Sequence, residues 1–203
     1  MKLLGLSIVC FFGLSLSTAQ ADPLQYEMDK NHTIIQFEWN HNRLANMSGR
    51  FLEYTGVFDL DFENPPKSHV EFTIKADSIW TGVEGLDKDM KSDRLFDTAN
   101  HPELKFVSTS ARQTGLERGQ LTGELTIKGI TKPVTLFIDV NYEGPHIFAE
   151  GVAEYKDALQ AGLTLHARVN RSDFGLGMAV PWIADEIDIR IETELVAYPG
   201  GKP

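Results

Sequence analysis

Hydrophobic and polar residues alternate with a period of two along nearly the whole chain. Ile35, Phe37 and Trp39 alternate with Gln36, Glu38 and Asn40, as expected for an antiparallel strand buried on one face. Phe58, Leu60 and Phe62 alternate with Asp59, Asp61 and Glu63, and after the Asn64-Pro65-Pro66 turn signal Val70, Phe72 and Ile74 alternate with Glu71, Thr73 and Lys75. Leu104 to Ser108 repeats the pattern, as do Leu121, Leu125 and Ile127 and then Val134, Leu136, Ile138 and Val140, with Lys128 to Pro133 read as the turn between them. Gln113 to Gln120 reads as a polar hairpin loop. Gly144-Pro145 predicts a turn into an extended Ile147 to Ala153, and Glu154 to Thr164 is undecided between strand and loop. Ala167 to Asn170 reads as extended, and Phe174 to Met178 as a glycine-spaced apolar loop. The cleanest strand is the last, where Ile187, Ile189, Ile191, Thr193 and Leu195 alternate with Asp188, Arg190, Glu192 and Glu194.

One stretch breaks the rule. From Thr81 to Phe106 the period of two disappears. Leu86 and Met90, four apart, would share one face of a short helix, leaving Asp87, Lys88, Asp89 and Lys91 to solvent. Leu95 and Phe96 fall off that stripe, and Ser92 reads as the N-cap of a second short turn. Pro102 ends helical geometry before Leu104 and Phe106 resume strand spacing.

About eight to ten short strands at these turn spacings predict an all-β sandwich or barrel, with a short helical insert. An antiparallel barrel of about eight strands leaves no exposed edge, and its interior either fills with side chains or holds a small ligand. Both need apolar inward positions, and the alternation by itself favours an ordinary packed core over a cavity.

The first residues read as an export leader. Lys2 precedes an apolar run from Leu3 to Leu16, and Ala19-Gln20-Ala21 offers a cleavage site after Ala21. The expected organisation is a signal peptide over 1–21 and one domain over 22–203, delivered to the periplasm. Cys10, the chain's one cysteine, lies inside the leader. The mature protein would then have neither disulfides nor thiolate chemistry. The net charge is −10 over 203 residues and no basic cluster stands out, which argues against nucleic acid as a partner.

Motifs for chemistry are absent. There is no Gly-x-Ser-x-Gly elbow, His-Glu-x-x-His helix or phosphate-binding glycine loop. The six histidines (32, 41, 69, 101, 146 and 166) are not at zinc-ligand spacing, and neither Asp59-x-Asp61 nor Asp185-Glu186 has the rest of a calcium loop. No metal, cofactor or catalytic residue is therefore expected.

Several blocks, in this order, resemble the YceI-like family: Gly49-Arg50-Phe51 with Tyr54 and Gly56; Asp87 to Asp97 followed by His101-Pro102 and Phe106; Gly123 to Leu136; and Arg171 to Leu176. Together they span the chain after the leader. The resemblance implies a lipocalin-like barrel in the bacterial periplasm that holds a polyisoprenoid, an isoprenoid quinone or a similar amphiphilic lipid, and it admits transient contact with a membrane. In the helical insert, where the family often has an Arg-Asp pair, a histidine and paired phenylalanines, this chain has Asp87-Lys88-Asp89-Met90 and Leu95-Phe96. Met90 packs but scarcely hydrogen-bonds.

On that reading the cavity wall comprises Ile35, Phe37, Trp39, Phe58, Leu60, Phe72, Ile74, Phe106, Leu125, Ile127, Leu136, Ile138 and Ile189, with Phe174, Met178 and Trp182 at the rim or gate. The expected function is non-catalytic binding, storage or transport of the lipid. The alternative is an enzyme acting on a lipid or quinone in the same barrel, with His32, His41 or Arg43 as its polar groups. Neither reading sets the oligomeric state, the lipid's length or its head group.

Overall fold

The computed structural model describes residues 22–202; the predicted leader lies outside the described residues. Its strands are β1 (Leu24–Met28), β2 (Ile34–His41), β3 (Ala45–Phe51), β4 (Tyr54–Leu60), β5 (His69–Lys75), β6 (Ile79–Trp80), β7 (Glu103–Gly115), β8 (Arg118–Ile127), β9 (Ile130–Pro145), β10 (Leu159–Asn170) and β11 (Glu186–Ala197), with one α-helix, α1 (Glu84–Lys91), between β6 and β7.

Six of these segments combine into three long, bent strands. β1 pairs with β4 through Tyr26 opposite Phe58, and β2 pairs with β3 through Phe37 opposite Gly49. β4 and β3 then pair with β5 and β6. Counting β1/β2, β3/β4 and β5/β6 as single strands, the sheet is an eight-stranded antiparallel meander continuing through β7 to β11. The last strand closes it. The N-terminal half of β11 pairs with β2 (Ile191 opposite Ile35) and its C-terminal end with β1 (Ala197 opposite Tyr26). The all-β barrel with a helical insert is the expected fold.

The bend between β1 and β2 has a local cause. Asp29 accepts the Asn31 N–H at 2.8 Å and starts a short 3-10 turn over Lys30–His32. That turn diverts the strand without opening the ladder, because the Asp29 N–H still reaches the Glu194 carbonyl at 2.9 Å.

Several local expectations need correction. Leu24, Tyr26 and Met28 form an unforeseen strand, although they alternate in the usual way. β7 and β8 consume most of the expected 113–120 loop, leaving Leu116-Glu117 as the turn. β9 runs through Gly144-Pro145, and the expected strand over Ile147 to Ala153 is a series of turns. Here the chain curls around the buried His146. Its ring stacks on Tyr155 at 3.8 Å and its Nδ1 accepts the Phe148 N–H at 3.2 Å. The undecided 154–164 stretch resolves at Leu159, where β10 begins. Ser92 opens the expected second turn through its carbonyl, which accepts the Leu95 N–H at 3.0 Å, but its N–H and hydroxyl close α1 by donating to the Asp89 carbonyl.

Two apolar clusters line opposite halves of the barrel. One gathers Tyr26, Phe58, Val70, Phe106, Leu121 and Leu195; the other gathers Ile35, Phe37, Trp39, Phe51, Ile79, Ile127 and Phe174. Phe72, Leu125 and Ile191 touch both. The second cluster lies under the insert, where Leu86, Met90, Leu95 and Phe96 pack down onto it.

An apolar cavity through the barrel

The inward side chains do not meet across the barrel. They surround a cavity of about 1140 Å³, slightly above the roughly 300–1,000 Å³ of ordinary small-molecule pockets. Leu60, Phe72, Ile74, Leu125, Leu136, Ile138 and Ile189 all face inward yet stay only half-buried, because their exposed surface borders the cavity. A filled barrel would have buried them.

Three glycines help keep the bore open. Gly49, Gly56 and Gly123 occupy inward positions beneath aromatic rings. A Cβ on Gly49 would lie 2.4 Å from Phe37 Cζ, one on Gly56 2.7 Å from Phe58 and 2.8 Å from Phe72, and one on Gly123 2.4 Å from Phe106. Without a Cβ there, the rings lie flat along the wall instead of projecting into the lumen.

Fifteen of the sixteen residues singled out from the sequence line the cavity: Ile35, Phe37, Trp39, Phe58, Leu60, Phe72, Ile74, Phe106, Leu125, Ile127, Leu136, Ile138, Phe174, Met178 and Ile189. Trp182 is the exception. Its neighbour Ile183 faces inward and bridges to His41, which turns the indole outward and leaves it 75% exposed. The wall also includes residues that the sequence reading passed over. Met28 lies on the unforeseen strand, Leu163 and Leu165 in or beside the undecided stretch, and Phe51, Leu86, Phe96 and Ile191 complete the surface. Ile187 and Ile191 share the alternation of Ile189 and were legible; Leu163 was hidden by the irregular Ala161-Gly162.

At the end beneath the insert a buried arginine orders the segment that covers part of the cavity. Arg171 lies in the segment between β10 and β11, and its guanidinium donates to the carbonyls of Ala184 (2.9 Å), Met178 (2.9 Å), Ile183 (3.0 Å) and Leu176. Burial pulls its pKa below the ordinary arginine value, opposed by the nearby Asp185. One side chain thereby ties down a segment that carries Phe174, Leu176, Met178 and Ile183 over the cavity. At the opposite end the lining reaches the loop tips: Asp61 and Pro65, Leu116 and Glu117, Tyr142 and Glu143. Leu116 both lines the cavity and is 93% exposed, so the cavity meets solvent there.

Polar groups on the wall are few. Thr33 and Thr193 are buried with their hydroxyls 2.8 Å apart. The single hydroxyl hydrogen of Thr33 goes to the Asp29 carbonyl at 2.7 Å, so Thr193 donates to Thr33 and keeps its own lone pairs free. Near the open end Tyr26 is pushed up to about 12, first by burial and then by the Glu143 carboxylate.

The polar candidates for an enzyme do not converge. His32 is in the exposed turn between β1 and β2, bonded to Asp29 at 2.8 Å. His41 lines the cavity at the far end of β2, and Arg43 is in the β2–β3 turn with φ 60°. Asp29, His32 and Glu194 bring three possible metal-ligand atoms within 4.8 Å of one another, outside the cavity wall. The His32–Asp29 hydrogen bond and the paired charges account for that cluster.

Fold and cavity define the class: a closed antiparallel barrel built around an apolar, ligand-sized space, of lipocalin-like architecture. The YceI-like domain model matches residues 26–195, and the chain belongs to that family. It is 31% identical over 180 residues to a UPF0312 protein of Pseudomonas putida strain W619, an alignment covering 87% of this chain and 90% of that protein. Among solved structures, BcnA of Burkholderia cenocepacia superposes with a TM-score of 0.70 at 21% identity, over 85% of this chain and 100% of BcnA. A polyisoprenoid binding domain from Saccharophagus degradans, implicated in plant cell wall breakdown, superposes at 0.62 with 13% identity, over 86% of this chain and 99% of that domain. These two share the fold.

Proposed function

We propose that this protein binds one long-chain, isoprenoid-like lipid in its barrel and stores or carries it in the periplasm without chemically altering it. The observation that carries the reading is the cavity: about 1140 Å³ of space walled chiefly by Ile, Leu, Val, Phe and Met. Such a wall can recognise a hydrocarbon chain by burial alone, at about 0.8 kcal/mol per methylene. A buried chain needs no hydrogen bonds, and the wall offers few. A polar head would lie at the open end near Gln113, Arg118 and Glu143. The fold shared with a polyisoprenoid binding domain supports the same ligand class, and the leader read from the sequence supports the compartment.

The test compares two adjacent residues on β5. Phe72 faces the cavity, whereas Glu71 faces solvent and bonds His69 at 3.1 Å. Phe72→Arg places an unpaired charge against the lipid chain and should abolish uptake of an added polyprenol, since desolvating that charge costs several kcal/mol. Glu71→Arg should leave uptake unchanged. Circular dichroism is to establish that both variants keep the barrel, and Phe72→Ala tests whether loss of the ring alone is enough. Equal uptake by the Phe72→Arg and wild-type proteins would refute the reading.

A further inference from the structure

Every methionine among the described residues lines the cavity: Met28, Met47, Met90 and Met178. Each is only half-buried. Met28, on β1, packs with the cluster that contains Tyr26 and Phe58. The other three lie at the insert end and come from three different elements. Met47 is on β3 opposite Trp39, Met90 is on α1, and Met178 is in the segment that Arg171 orders.

The two ends of the cavity differ in chemistry. At the open end the lining reaches Asp61, Glu117, Arg118 and Glu143, which suit a hydrated head group. Beneath the insert the charged groups in the lining are taken up by the protein itself. Arg171 donates to its four carbonyls, and the Asp89 carboxylate accepts from Arg94 at 3.0 Å. His41 stands at the end of β2. The aromatic rings of this half brace one another: Phe37 stacks on Trp39 at 5.7 Å, and Phe51 lies 5.4 Å from Phe37 and 5.9 Å from Phe96. Rings held in this way fix the width of the wall. Methionine does not, because an unbranched chain with three rotatable bonds and a polarizable sulfur fills an irregular gap and can withdraw from it.

We infer that the insert end receives the free, apolar end of the lipid, and that Met47, Met90 and Met178 form a floor that adjusts to its length. The inference rests on the lipid-carrier reading above and adds an orientation and a ligand range. The head group lies at the open end, the chain end lies beneath α1, and the ligand is any of a series of homologous chains. A floor of stiff, branched side chains would fit one length well and meet others with a void or a clash. A methionine moves between staggered positions and keeps its contact with either. Since the three methionines come from separate elements, the floor changes shape without shifting the sheet.

The test reads the methionines directly, by NMR of isotope-labelled methionine methyl groups in the otherwise unaltered protein. Loaded with polyprenols that differ by one isoprene unit, it should give Met47, Met90 and Met178 signals that change with chain length and a Met28 signal that is the same for all. Wild-type affinities across the series should stay within about threefold. The triple variant Met47→Ile/Met90→Ile/Met178→Ile keeps a similar volume but is stiff at χ1, and it should discriminate between chain lengths by about tenfold or more. Circular dichroism and binding of its best-fitting chain are to establish that the triple variant is folded; the NMR comparison needs no variant. Methionine signals blind to chain length, or a length dependence carried by Met28 in place of the other three, would overturn the inference. So would an unchanged length profile in the folded triple variant. A folded wild-type protein that takes up no polyprenol refutes the carrier reading and this inference with it, whereas uptake with length-blind methionine signals refutes the inference alone.

Discussion

Gly49→Ala is a small change that should act through the bore of the barrel. The ideal Cβ would lie 2.4 Å from Phe37 Cζ and 3.0 Å from both Cε atoms. Carbon atoms rest about 3.5–4.0 Å apart, so the tip of the ring must move by roughly 1–1.5 Å. Trp39, stacked at 5.7 Å, and Phe51, at 5.4 Å, flank the ring along the wall. The lumen is the free direction. Overpacking of this kind costs about 1–3 kcal/mol, while alanine in place of glycine returns about 0.4–1 kcal/mol by restricting the unfolded chain. The net expectation is a loss of about 1–2 kcal/mol, measured by urea unfolding followed by circular dichroism, with weaker binding of a long polyprenol as the ring enters the cavity. In a Phe37→Leu background the clash is gone and the same alanine should be neutral or stabilising. If Gly49→Ala has the same effect in both backgrounds, the ring's seat on Gly49 is not what sets the bore.

Further expectations follow from single groups. Arg171→Leu removes the donor to four carbonyls and should cost roughly 3 kcal/mol or more in urea unfolding; an unchanged midpoint would show that the segment between β10 and β11 is held by other contacts. Tyr26 should be among the last tyrosines to ionise in an ultraviolet alkaline titration, near the value of about 12 set by burial and Glu143. Its native state holds the proton longer than the unfolded chain, so the stability Tyr26 contributes is complete below pH about 10 and lost as pH rises towards about 12. Titration of Tyr26 at the ordinary tyrosine value would contradict its burial. His32 should titrate above the ordinary histidine value because of its hydrogen bond to Asp29, and NMR of Asp29→Asn should show that shift largely abolished.

The fold was legible where one face of a strand is buried along its whole length. Phe58 and Leu60, Phe72 and Ile74, and Ile187 to Leu195 each alternate cleanly, and each lines the barrel as expected. Reading failed where tertiary contacts decide. Ile147 to Ala153 has the composition of a strand, but the His146–Tyr155 stack curls it into turns, and two residues nine apart in sequence give no sign of stacking. Gly144-Pro145 looked like a turn, yet a proline at the last residue of β9 costs no ladder hydrogen bond that matters there. The choice between cavity and packed core was beyond the alternation, since the same inward residues serve both. A signal did exist in Gly49, Gly56 and Gly123, which stand at inward strand positions where a filled core would use larger residues. Trp182, expected at the rim or gate, lies outside the cavity lining: a loop has no periodicity to say which of two neighbours faces inward, and Ile183 takes that place.

The most direct measurement of the central claim is native mass spectrometry of the protein purified without detergent from its own host, followed by organic extraction of the same sample. A carrier with this cavity should appear mainly as a one-to-one complex with a lipid, and the extract should contain a long isoprenoid-like chain in near-stoichiometric amount, chemically intact. A ligand-free mass, together with failure of added polyprenols to bind or to quench the cavity-wall Trp39, would contradict the account.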